Sequence, residues 1–175
     1  MMSNINPSDW IVNQVEFITK NNQIPSIIDI ASGDGRHSTY FANKGYNILS
    51  IDNDFKKLKS YSNFKNINTI CFDLENDNFW PISITFDIVL VVNYLYRKNF
   101  KNILKLVKKN GYLIYETFRV GNEKYGKPSN PDYLLKNNEL KNLITERFVI
   151  KRFYQGLVEN NIKSYKQMFL AKRVA

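Results

Sequence analysis

This sequence predicts a three-layer α/β sandwich, and three observations predict it. Strand-like apolar runs alternate with segments of helical periodicity through most of the chain, and two further strand-like runs close it. The run Phe86-Asp87-Ile88-Val89-Leu90-Val91-Val92 is β-branched and almost continuously apolar, as in a central parallel strand covered on both faces. The chain has 175 residues, close to the roughly 150 of a typical domain, so residues 1–175 are expected to form one domain.

The elements follow in order. Residues 8–20, within an N-terminal helical segment 1–22, read as an amphipathic helix. Ser8 can cap it, and Ile11, Val15 and Ile18 recur at helical spacing. Pro25 opens the first strand, residues 26–31. The turn Ser32-Gly33-Asp34-Gly35 leads into a helix over roughly 36–44, which Gly45 stops. Residues 46–51 form the second strand, ending in Asp52. A short helix near 54–62 carries Phe55 and Leu58 on one side. Residues 67–72 form the third strand, ending in Asp73, and residues 86–92 the fourth. A helix near 98–109 turns Phe100, Ile103, Leu104 and Val107 inward and leaves Lys101, Lys105 and Lys108 on a solvated face. Gly111 ends that helix and starts the fifth strand, 111–118.

Residues 119–133 are a polar loop holding Gly121, Gly126, Pro128 and Pro131. Loops of this length are usually functional or mobile. A short helix near 137–144 precedes two closing strands, 148–154 and 165–170. Asn160-Asn161 lies in their connection, which suits an antiparallel pair. The strands number seven.

Composition removes several function classes. Hydrophobic residues make up 43% and charged residues 23%, which argues against a disordered or fibrous chain. No apolar run reaches the ~18 residues of a membrane span, and the segment MMSNINPSDW lacks the basic flank and apolar centre of a signal peptide. One cysteine, Cys71, excludes an internal disulfide framework and a Cys-rich zinc site. It sits in a buried-type strand and is expected to be inert. One histidine, His37, excludes His-pair metal sites, so no metal is expected. A reducing, cytoplasmic setting is the simplest expectation. The net charge is +9, yet lysines outnumber arginines 19 to 6, and asparagine and isoleucine are abundant. That pattern has the look of a nucleotide-composition bias. Arginine, the residue suited to bidentate phosphate contacts, is scarce, so a solvated basic surface is expected ahead of a polyanionic partner.

In open α/β sheets ligands bind beyond the carboxyl ends of the strands. Three strands here carry acids at or near those ends: Asp29, Asp52 and Asp73. The first is followed by Gly33-x-Gly35 and a helix start, where small residues let a ligand approach the backbone. Asp52, 17 residues beyond Gly35, can accept hydrogen bonds from two ribose hydroxyls. Together these features point to an adenosine-containing ligand. A dinucleotide site wants G-x-G-x-x-G, but Ser38 replaces the third glycine, and Asp34 would repel a pyrophosphate. S-adenosylmethionine has no phosphate and carries a sulfonium and an ammonium, so an acidic turn suits it better.

At this point the chain resembles class I S-adenosylmethionine-dependent methyltransferases. Asp29-Ile30-Ala31-Ser32-Gly33-Asp34-Gly35 is similar to their acidic glycine-rich motif, with Ala31 in place of the usual first glycine. The Gly35-Arg36-His37 turn and the short length make it most similar to small tellurite-resistance-type bacterial methyltransferases. The resemblance implies a seven-stranded, mostly parallel, Rossmann-like sheet with an antiparallel last strand. It also implies S-adenosylmethionine as cofactor, held by Asp29, Ala31, Gly33, Gly35, Asp52, Asn53, Asp73, Leu74, Asn93 and Tyr94. Asp52 would take the ribose, Asp73-Leu74 the adenine, and Asn93-Tyr94 would lie beside the methyl donor.

Methyl transfer is an in-line displacement, and positioning can supply most of its catalysis. No general base is assigned; Tyr94 and His37 are the candidates. Tyr96, Arg97, Glu116, Arg119, Tyr125 and Asn130 are candidates for binding the acceptor, and the loop 119–133 for walling its site. The run Asn93-Tyr94-Leu95-Tyr96 lacks the Pro-Pro of nucleic-acid amino-methyltransferases, so a small-molecule acceptor is expected. An RNA methyltransferase and a cofactor-binding module without turnover are the alternatives.

Overall fold

The computed structural model describes residues 6–20, 24–76, 79–159 and 162–175. The elements run α1 (Asp9–Ile18), β1 (Ser26–Ile30), α2 (Arg36–Asn43), β2 (Asn47–Asp52), α3 (Phe55–Tyr61), β3 (Ile67–Cys71), β4 (Phe86–Val92), α4 (Phe100–Leu106), β5 (Val107–Phe118), α5 (Glu139–Leu143), β6 (Phe148–Glu159) and β7 (Lys163–Arg173). The strands form one seven-stranded sheet in the order β3-β2-β1-β4-β5-β7-β6. The pairs among β1 to β5 are parallel, whereas β7 runs antiparallel to both β5 and β6.

Side-chain alternation along the buried strands creates two cores. Ile28, Ile30, Val89, Val91, Leu113 and Tyr115 face one side, where Phe100, Ile103 and Leu104 of α4 and Leu140 of α5 cover them. Ile27, Ile48, Ile88, Leu90 and Ile114 face the other, under Ile11 and Val15 of α1, Phe41 of α2 and Leu58 of α3. A continuous apolar run in β4 is what a strand with helices on both faces requires. The three expected layers therefore arise from the two parities of the same strands.

Several expectations are corrected. The helix expected over 98–109 ends at Leu106, and Val107 is already extended and paired with Phe86. The register then jumps to Ile88 opposite Tyr112, and Lys108 reaches Asp87 at 3.1 Å. Gly111 fits this bulge because a Cβ there would lie 2.8 Å from the Asp87 carbonyl oxygen. Phe55 is 62% exposed; Tyr61, not Phe55, joins Leu58 in the core. Cys71 is exposed rather than buried, since β3 is the sheet edge. The closing strands are longer than expected, because backbone pairing carries the hairpin on from Gln155–Gln167 to Glu159–Lys163 beyond the end of the apolar pattern. The expected turn at residues 160 and 161 and the first residues of the 1–22 segment lie outside the described residues.

The loop 119–133 is tied down at several points. The Arg119 amide donates to the Tyr165 carbonyl and the Val120 amide to that of Leu135. Asn122, buried at 1% exposure, donates to the Pro128 carbonyl and accepts from the Tyr165 amide. Short 3-10 turns span Asn122–Lys124 and Pro131–Tyr133, and the Lys127–Pro128 peptide is cis. No helix among the described residues is long and apolar enough to cross a membrane.

Candidate active site

The turn after β1 is built from backbone that side chains rarely tolerate. Ala31, Gly33 and Gly35 have φ of 54°, 54° and 71°. Ala31 therefore adopts a glycine-like conformation in the position where glycine is usual, at a strain of about 1 kcal/mol. A Cβ on Gly33 would meet open space, whereas one on Gly35 would lie 2.5 Å from the Tyr61 ring. Tyr61 is fixed by a 2.8 Å hydrogen bond with Ser32 Oγ.

Asp52 closes the turn from the neighbouring strand. Its Oδ2 accepts from the Gly33 amide at 2.8 Å and its Oδ1 from the Asp54 amide at 3.0 Å. Each carboxylate oxygen has a further lone pair for an incoming hydroxyl. Asp29 is placed differently: it is 1% exposed and accepts from Ser38 Oγ at 2.7 Å. Burial pushes its carboxyl up to about 6, the Ser38 hydroxyl opposing this only in part.

Two cavities open beyond the strand ends. The first, about 160 Å³, is lined by Ala31, Asp52, Asn53, Phe72, Asp73, Leu74, Glu75 and Tyr94. The second, about 290 Å³, is lined by Glu75, Asn93, Tyr94, Leu95, Thr117, Phe118, Pro128 and Tyr133. Glu75 and Tyr94 belong to both and so stand at their junction. Glu75 is held above its usual range by desolvation and by Asp73. The Tyr94 backbone is anchored through its carbonyl, which accepts from the Tyr115 hydroxyl at 2.8 Å. Its own hydroxyl is buried without a well-formed hydrogen bond, since the nearby Asn99 amide donates instead to the Leu74 carbonyl. Desolvation raises that hydroxyl well above the ordinary tyrosine range, so it stays protonated.

Behind the second cavity lies a buried polar network. Lys166 Nζ donates to Glu116 Oε1 at 2.5 Å and to Asn93 Oδ1 at 3.0 Å. Ser8 Oγ donates to Glu116 Oε2 at 2.5 Å, and the Ser8 amide donates to His37 Nε2 at 3.1 Å. Ser8 also caps α1, so this network pins the start of that helix beside the ends of β4 and β5. Burial, with the nearby charges of Arg36 and Lys166, pushes His37 down to about 3, and its Nε2 is committed as an acceptor. It is a neutral anchor for the N-terminal segment, with no lone pair left for a substrate proton.

The structure brings together, around the first cavity, Ala31, Asp52, Asn53, Asp73, Leu74 and Tyr94, and adds Asn93 on the second. The six acceptor-site candidates line neither cavity among the described residues. Arg97 pairs with Glu139 at 2.6 Å and also donates to the Asp132 and Leu134 carbonyls, bracing the loop end against α5. Glu116 is consumed by Lys166 and Ser8. The Arg119 guanidinium sits 5.5 Å over the Tyr165 ring, on which Tyr125 stacks at 5.8 Å. Asn130 caps its own turn through the Asp132 amide, and Tyr96 precedes the Arg97–Asn99 turn. The loop instead contributes Pro128 and Tyr133. Glu75, Thr117 and Phe118, which also line the second cavity, and Lys166 behind it are not among the residues singled out from the sequence. Glu75 lies two residues beyond Asp73, and Lys166 is a charge just ahead of the apolar run Met168–Ala171.

Residues 9–156 match the family model described as tellurite resistance protein TehB. The chain belongs to the TehB family. The structure of TehB from Haemophilus influenzae superposes with a TM-score of 0.74 at 19% identity, covering 92% of this chain and 62% of that one. This chain thus spans about three fifths of that relative's length. The N-methyltransferase NodS from Bradyrhizobium japonicum WM9 gives a TM-score of 0.70 at 13% identity, covering 93% and 94% of the two chains. Magnesium protoporphyrin IX methyltransferase (ChlM) from Synechocystis PCC 6803, solved with S-adenosylhomocysteine bound, gives 0.69 at 16% identity, covering 94% and 81%. No curated protein matches the chain in sequence. The fold of this TehB-family member is that of S-adenosylmethionine-dependent methyltransferases, including the antiparallel last strand.

Proposed function

We propose that this chain transfers a methyl group from S-adenosylmethionine to a small-molecule acceptor. The observation that carries the proposal is the pair of cavities meeting at Tyr94 and Glu75, one of them lined by Ala31 of the turn and by Asp52, which holds the Gly33 amide. The residues fit the cofactor. Asp52 has lone pairs for two ribose hydroxyls, and Asp73 and Leu74 stand where adenine would lie. The open side of Gly33 leaves room beside the backbone. The described lining contains Asp52, Asp73 and Glu75 and neither lysine nor arginine, which suits a ligand carrying a sulfonium and an ammonium rather than a pyrophosphate. When bound, the cofactor supplies a methyl group already activated on a sulfonium.

The chain's own part is positioning. Tyr94 separates the two cavities, and its protonated hydroxyl and fixed backbone make it a wall rather than a base. Asn93, oriented by Lys166, presents its amide to the second cavity. Alignment of nucleophile and methyl group is then the main catalytic contribution. The described linings hold no lysine or arginine to receive a phosphate backbone, so an RNA acceptor is not our reading. A cytoplasmic site of action and a single domain spanning 1–175 belong to the same proposal.

Calorimetric titration with S-adenosylhomocysteine tests it. Binding is expected, and Asp52→Ala should weaken it tenfold or more, since hydrogen bonds to a charged acceptor contribute about 1.5–3 kcal/mol each. Folded protein that gives no heat with millimolar ligand would end the proposal.

A further inference from the structure

We infer that the second cavity binds a small amine carrying an aromatic or apolar body, with Glu75 and the surrounding rings as its recognition elements. This deepens the methyltransferase reading and rests on it. Three aromatic rings from separate parts of the chain converge on the cavity: Tyr94 after β4, Phe118 at the end of β5, and Tyr133 from the loop. Glu75 is its one charged lining residue among those described. The cation near this cavity in the buried network is Lys166. Its Nζ lies behind the Phe118 ring, 5.0 Å from the centroid, and its charge is offset by Glu116 at 2.5 Å.

The sign of the site follows. An oxyanion entering the cavity would meet the Glu75 carboxylate and aromatic side chains, with no lysine or arginine among the described lining residues to compensate. An ammonium would meet an opposite charge and aromatic side chains of the kind that attract cations, while its organic body packs on Leu95 and Pro128. An amine bound in this way gives its proton to the Glu75 carboxylate before reacting. The nitrogen lone pair then forms the new N–C bond as the C–S bond breaks, and the electron pair of that bond stays on sulfur as a thioether. The product leaves as the N-methylammonium.

The test is binding as well as turnover. Benzylamine, phenethylamine and sodium selenite are titrated calorimetrically into the full chain saturated with S-adenosylhomocysteine. At least one amine should bind, and selenite should not. Glu75→Gln should lower amine affinity tenfold or more, and Tyr133→Leu should lower it severalfold. Tyr133 is 50% exposed and Glu75 is exposed, so both variants should fold, which circular dichroism checks. S-adenosylhomocysteine binding without amine binding would overturn the inference alone. So would an amine affinity indifferent to Glu75→Gln, or selenite binding at this site. Failure to bind S-adenosylhomocysteine would overturn the methyltransferase reading beneath it.

Discussion

Replacing Lys166 with Met removes a charge from the buried network behind the second cavity and strands its partner. Lys166 Nζ and Glu116 Oε1 lie 2.5 Å apart, with side chains only 10% and 3% exposed. Removing one member of a buried pair costs about 3–5 kcal/mol, because the other charge stays buried without compensation. Here the carboxylate keeps Ser8 Oγ as a donor, so the lower end of that range, about 3 kcal/mol, is expected. For a chain of this length about 1 kcal/mol corresponds to 2–4 °C, so Tm should fall by roughly 6–12 °C. Glu116→Leu strands the ammonium with Asn93 and also releases Ser8, costing about 1 kcal/mol more. The double variant removes both charges, and should be at least about 2 kcal/mol more stable than the sum of the single losses. Urea denaturation of the four proteins reads this coupling directly. A Lys166→Met variant within about 1 kcal/mol of wild type, or strictly additive losses, would refute the buried-pair argument.

Two further predictions concern the cofactor turn. Asp29 titrates higher when folded than the 3.8 of a free carboxyl, at about 6, so its stabilising contribution is present below pH 3.8 and is lost as pH rises through 6. At pH 8 this amounts to about 3 kcal/mol of burial cost, which Asp29→Asn should relieve while keeping an acceptor for Ser38; the gain in Tm should vanish near pH 4, and a pH-independent gain would contradict it. Gly33→Ala should destabilise by about 1–2 kcal/mol through backbone strain alone, whereas Gly35→Ala should cost more because its Cβ must displace Tyr61. Equal losses in thermal melts would show that the Tyr61 contact does not matter.

The layered fold was legible because its cause is local. Alternating parity along Ile27 and Ile28, or Ile88 and Val89, fixes which face of a strand is buried, and the helical spacing of Ile11 and Val15 does the same for a helix. The cofactor turn was legible for a related reason: Gly33, Gly35 and Asp52 sit at strand ends, so sequence position alone brings them to one edge of a parallel sheet. Even there, Ala31 shows that backbone geometry can persist where the glycine signal is lost. The second cavity was not legible. Glu75 lies 43 residues before Phe118 and Tyr133 lies 15 after it, with no shared period, and only the docking of the loop on β7 and the packing of β4 against β5 bring them together. Arg97 and Glu116 have the residue types of a binding site, yet tertiary contacts with Glu139, Lys166 and Ser8 consume their charges. Residue type sets what a side chain can do. Whether its charge faces a ligand or another buried charge is decided by long-range packing, because a buried ionisable group must find a partner, as Glu116 does, or shift its protonation, as Asp29 does.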